Sequence, residues 1–123
     1  MSWQVTSLVP LAQVADVDRS IAFYQKLGLA LGGRTKDGNI DFAGLRAERG
    51  ATVLMLTRGR KPVAGDDQRI VFYLYTRDLK ALRERLVAEG IAVSPIVPRE
   101  YMERGEVELT DPDGYTVFIG EDG

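Results

Sequence analysis

The constraint that does most to limit the fold of this chain is an internal repeat. Asp16 and Asp78 stand 62 residues apart, and so do Gly28 and Gly90. Each Asp precedes a run of apolar residues at helical spacing: Val17, Ile21, Tyr24 and Leu27 in the first half, Leu79, Leu82 and Leu86 in the second. An Asp before such a run caps the helix N-terminus, and a Gly after it closes the C-terminus in the left-handed region. Further on, Leu45 and Leu109, Gly50 and Gly114, Thr52 and Thr116, and Val53 and Val117 stand 64 apart. A two-residue insertion in the variable middle of one half reconciles the two offsets.

Around these markers the same order of elements recurs. In the first half, strands are expected over Val5–Val14, Ala30–Lys36, Ile40–Ala47 and Ala51–Thr57, with a turn at Asp37-Gly38-Asn39. In the second, they are expected over Ile70–Tyr75, Ala92–Val97, Glu106–Thr110 and Tyr115–Ile119, the last two joined by Asp111-Pro112-Asp113-Gly114. Each unit therefore reads strand, helix, then three strands. The fold class is α+β, with helix and sheet packed as layers. At 123 residues the chain is expected to form one domain, with module one at about 1–58, a Gly/Pro/charge-rich connector at 59–67 and module two at about 68–123.

Composition excludes more than it selects. The chain has no histidine and no cysteine, so sites built on imidazole or thiolate are closed to it, as are Ser-His-Asp triads and cysteine nucleophiles. A net charge of −2 gives no reason to expect nucleic acid. No apolar stretch approaches the ~20 residues that span a bilayer, and the first residues lack the pattern of a secretory signal. A soluble, cytoplasmic protein without a membrane partner is the expectation.

Two motifs carry a family resemblance. Val14-Ala15-Asp16-Val17-Asp18-Arg19-Ser20-Ile21-Ala22-Phe23-Tyr24, continuing to Leu27-Gly28-Leu29, resembles the opening of the vicinal oxygen chelate superfamily, which includes glyoxalases, bleomycin resistance proteins and dioxygenases. Asp111-Pro112-Asp113-Gly114-Tyr115 resembles its closing signature. The resemblance implies tandem βαβββ modules forming a curved mixed sheet around a central cleft. It also implies four strand positions at which metal-dependent members carry ligands. One lies seven residues before each capping Asp, giving Val9 and Val71; another lies seven after Asp111, giving Phe118; the repeat offset then gives Leu54. All four are hydrocarbon, and a divalent cation needs anionic or dipolar ligands to replace its water. No metal and no other cofactor is expected. The stretches Leu8-Val9-Pro10 and Ala22–Gly28 resemble the metal-free, bleomycin-resistance-like branch.

Strand side chains alternate between faces. Residues in phase with the four positions are expected to face the cleft: Val9, Leu11, Leu54, Leu56, Val71, Tyr73, Tyr75 and Phe118, with Ser7, Thr52 and Thr116. Tyr101 and Met102, in the segment Arg99–Gly105, are expected at its rim. The opposite phase, including Leu8, Val14, Val53, Met55, Ile70, Phe72, Leu74, Val117 and Ile119, is expected under the helices. Apolar walls with sparse hydroxyls are the composition of a small-molecule pocket. Burying about 200 Å² of apolar guest is worth roughly 5 kcal/mol before association costs.

The expected function is metal-free sequestration of a hydrophobic or aromatic small molecule, an antibiotic being one such ligand, with no catalytic residues. The resemblance also implies a homodimer, with Trp3 near the subunit contact. The rival is an enzyme of the same fold (a lyase, isomerase or dioxygenase), either without metal, using Tyr73, Tyr75, Glu103 or Glu106 as acid or base, or with an atypical site drawing on Gln13, Asp41 or Glu48. A further alternative is a domain that uses its sheet as a protein-contact surface.

Overall fold

The computed structural model describes residues 3–48, 50–59 and 70–121. The chain divides into two compact units, one within residues 1–62 and one within 63–123. Residues 60–67 of the expected connector lie outside the described residues.

Unit one contains β1 (Leu11–Val14), α1 (Val17–Lys26), β2 (Ala30–Asp37), β3 (Ile40–Arg46) and β4 (Thr52–Arg58). Unit two contains β5 (Val71–Thr76), α2 (Leu79–Ala88), β6 (Val97–Arg99), β7 (Met102–Thr110) and β8 (Thr116–Glu121). The sheets are open and four-stranded, ordered β1-β4-β3-β2 and β5-β8-β7-β6. In each, the strand before the helix runs parallel to the last strand and the other pairs are antiparallel. These are the two βαβββ modules the repeat announces.

Both helices begin and end as their flanking residues dictate. The Asp16 carboxylate accepts from the Arg19 amide at 3.1 Å, and that of Asp78 from the Ala81 amide at 3.0 Å. At the other ends Gly28 (φ 101°) and Gly90 (φ 77°) take the left-handed conformation. Leu29 N–H then donates to Tyr24 O and Ile91 N–H to Leu86 O, the six-to-one bond of a Schellman turn. Asp111 fixes the turn into β8 by accepting from the amides of Asp113 and Tyr115, both at 2.9 Å. In unit one Arg34 on β2 ties sheet to helix, pairing with Asp41 at 2.6 Å and Asp18 at 3.0 Å.

The core of unit one is Ala12, Val14, Val17, Ile21, Tyr24, Leu27, Ala43, Leu45, Leu54 and Leu56, all buried. That of unit two is Phe72, Leu79, Leu86, Val107, Leu109, Tyr115, Val117 and Ile119, where the Phe72 and Tyr115 rings stack at 5.3 Å.

Three expectations need correction. The first strand is far shorter than Val5–Val14, because pairing starts only at Leu11, opposite Met55. The Ala92–Val97 segment is not a regular strand. Ser94 meets β7 through one backbone bond to Glu108 and one hydroxyl bond from its amide, but Pro95 and Pro98 have no N–H to continue the ladder, and paired structure is confined to Val97–Arg99.

The third concerns the phase of β4. Arg46 pairs with Thr52, but Leu45 pairs with Leu54, so Val53 is an extra residue in the strand. In unit two the equivalent pairs, Thr110 with Thr116 and Leu109 with Val117, follow without interruption. This one-residue bulge changes the repeat offset from 64 to 63 and flips every later side chain. Leu54 and Leu56 therefore belong to the buried face with Leu45 and Ala43, not to the cleft face. Val53, expected in the core, is 43% exposed, and Leu8 and Ile70, also expected there, are exposed because they precede β1 and β5.

Candidate ligand-binding site

A cavity of about 560 Å³ opens on one face of the second sheet, lined by Val71, Tyr73, Tyr75, Tyr101, Met102 and Phe118. Six of the expected site residues are thus brought together within a single unit. The remaining four belong to unit one. Val9 is half-buried, Leu11 is exposed, and Leu54 and Leu56 lie in the core.

Strand alternation builds the cavity wall. On β5, Val71, Tyr73 and Tyr75 face it while Phe72 points into the core. Tyr73 pairs with Phe118 on the neighbouring parallel strand, and their rings stack at 5.9 Å and 19°. Tyr73 also packs against Tyr75, with centroids 5.2 Å apart. The β6–β7 hairpin brings in Tyr101 and Met102, with Arg99 paired to Met102. The segment expected as a rim loop is therefore a strand-turn-strand edge of the sheet.

The charged group bonded to this lining is Glu106. Its side chain is 4% exposed, and its Oε1 accepts a 2.8 Å hydrogen bond from the Tyr73 hydroxyl. The Arg99 Nε stands 3.7 Å from Oε2. Burial, reinforced by the bond to Glu106, pushes the Tyr73 phenol far above its ordinary value. The Glu106 carboxylate also raises Tyr101. Both groups therefore stay protonated at neutral pH. Opposite Glu106 lies Gly120, on the same face as its neighbour Tyr75. A Cβ there would come within 2.8 Å of the Met102 Cε and 3.0 Å of the Tyr73 hydroxyl oxygen. The missing side chain makes room for both.

Two of these features escaped the sequence reading. The hydroxyl of Tyr73 signalled a buried partner, but Glu106 was not assigned as that partner. Gly120 carried no turn signal, and its role appears only when Met102 is seen above it.

The side chains at the positions where metal-dependent members of the resembled superfamily carry ligands offer no hard donors. Val71 and Phe118 line the cavity, and the bulge puts Met55 rather than Leu54 at the position equivalent to Phe118. None of these side chains replaces a water on a hard cation. Among the described residues no three Asp or Glu side chains cluster closely enough to hold an ion. Asp41 is engaged by Arg34. The described residues at these positions do not fit a divalent metal.

A family model for the glyoxalase/bleomycin resistance protein/dioxygenase superfamily matches residues 7–119. The chain belongs to that superfamily. No curated protein sequence matches significantly. Solved structures similar to it include a bleomycin-binding protein complexed with bleomycin (TM-score 0.73, 19% identity, 97% of this chain and 100% of that one). Another is TnmS3, an antibiotic binding protein from a Streptomyces species (0.71, 21%, 98% and 99%). A third is a mutant of the fosfomycin resistance protein FosX from Listeria monocytogenes, complexed with Mn(II) and 1S,2S-dihydroxypropylphosphonic acid (0.73, 15%, 98% and 95%). At these identities the likeness establishes a shared fold. Among the described residues no helix is long and apolar enough to cross a membrane.

Proposed function

We propose that this chain is a metal-free binding protein that sequesters a planar aromatic or hydrophobic small molecule, of the kind found among antibiotics, in the cavity of its second unit. The observation that carries this reading is the cavity lining itself: four aromatic side chains, one methionine and one valine around about 560 Å³. Such walls favour apolar, flat guests. Methionine adapts to guests of different shape. Two of the similar structures are of proteins described as binding bleomycin or an antibiotic, which supports the reading.

The chemistry of the cavity weighs against catalysis. Tyr73 is a poor acid or base at neutral pH, since burial and Glu106 hold its proton. Glu106 is itself engaged by the Tyr73 hydroxyl and by Arg99.

A thermal-shift screen of planar antibiotics and aromatic metabolites tests the reading, with divalent metals as controls. Stabilisation by planar compounds without turnover supports it. Stabilisation by a metal alone overturns it. A homodimer belongs to the same proposal. Trp3, Val5 and Leu8 are exposed near the N-terminus, and aromatic side chains favour interfaces. Light scattering that finds only a monomer would remove this part.

A further inference from the structure

The functional reading above leaves the charge of the guest open. The hydrogen-bond inventory of the cavity narrows it. A phenol has one proton to donate and lone pairs to accept with. The proton of Tyr73 goes to Glu106 at 2.8 Å. This hydroxyl therefore offers a guest only oxygen lone pairs. The rings of Tyr73, Tyr75, Tyr101 and Phe118 line the cavity, and the face of an aromatic ring is the negative side of its quadrupole. Glu106 is bonded to this lining through Tyr73, and Glu108 stands directly opposite Phe118 on the neighbouring strand. The nearby cation Arg99 is already drawn to Glu106, at 3.7 Å. Four aromatic rings and a carboxylate thus make the cavity electron-rich.

Resting on the proposed binding function, we infer that this cavity selects planar guests carrying a positive charge, such as alkylated ring nitrogens or amidiniums, because the Glu106 carboxylate bonded to Tyr73 and the surrounding aromatic rings leave it electron-rich. A cation over aromatic faces gains in proportion to its desolvation. An anion gains nothing from the ring faces and is opposed by the Glu106 carboxylate bonded to Tyr73.

The test is calorimetric titration at pH 7.5 with three probes of similar size: N-methylquinolinium, neutral quinoline and 1-naphthoate. The cation is expected to bind about tenfold tighter than quinoline, and naphthoate weakest. Glu106→Gln and Tyr75→Leu should each bring the cation-to-neutral ratio towards one. Tyr75 is 63% exposed, so its replacement gives the result without disturbing the interior. If quinoline or naphthoate binds as well as the cation, charge selection is wrong while the binding function stands. If no probe binds, the binding function itself fails and the inference with it. A tenfold ratio that survives in Tyr75→Leu also overturns the assignment, since the selection would then lie elsewhere.

Discussion

Tyr73 and Phe118 are partners across adjacent parallel strands, and their rings stack at 5.9 Å. Parallel pairing alone would align the two residues. The stack makes them one continuous aromatic wall. Phe118→Ala should remove half of that wall, weakening binding of a planar guest by about 0.5–1.5 kcal/mol beyond the lost contact area. Titration of wild type and variant with the same compound checks this.

Gly120 sets the depth of the cavity. Its absent Cβ would lie 2.8 Å from the Met102 Cε and 3.0 Å from the Tyr73 hydroxyl oxygen. The end of a methionine side chain moves readily, so Gly120→Ala should fold, pushing Met102 into the cavity and lowering guest affinity. Met102→Ala in the same background should restore part of the loss. Equal affinity in all three proteins would show that position 120 does not shape the site.

The Tyr73 proton links the site to alkaline stability. Burial, then the bond to Glu106, raises its pKa in the folded chain above the ordinary tyrosine value. The folded state thus holds this proton more tightly than the unfolded one. Its contribution is complete below about pH 10, and is lost as pH rises from there towards the folded value. Wild type should therefore lose stability above about pH 10 more steeply than Tyr73→Phe, as denaturant melts across that range will show. Ultraviolet titration of the phenols should find the highest-titrating tyrosine absent in the variant.

The two faces of the first sheet are distinguished by β4. Leu56→Ala should cost about 2–5 kcal/mol, as for other buried leucines, because Leu56 is fully buried. Leu11→Ala, at an exposed position on the adjoining strand, should change stability by about 0.5 kcal/mol or less. Comparable losses at both positions would contradict the bulge-shifted phase.

That phase shift marks where the sequence ceased to be legible. Helix limits were readable because capping is local: Asp16, Gly28, Asp78 and Gly90 each act within a turn of the chain. On the second unit β5 and β8 are regular, so alternation from Val71 leads to Tyr73, Tyr75 and, across the parallel pair, Phe118, which line one cavity. In β4 the Gly50 and Thr52 match to Gly114 and Thr116 holds up to the bulge, and the extra residue at Val53 then inverts the pattern. A bulge leaves little trace in composition, since Val53 is an ordinary strand residue. The Tyr73–Glu106 bond joins residues 33 apart in sequence and depends on strand order. No local rule could pair them.

The most direct test of the central claim is calorimetric titration of the purified protein with N-methylquinolinium, performed in EDTA and again with added Mn(II). The account predicts saturable binding of one molecule per chain, with the same affinity in both buffers and weakened by Phe118→Ala. Binding that disappears in EDTA and returns with the metal, or no binding in either buffer, would contradict it.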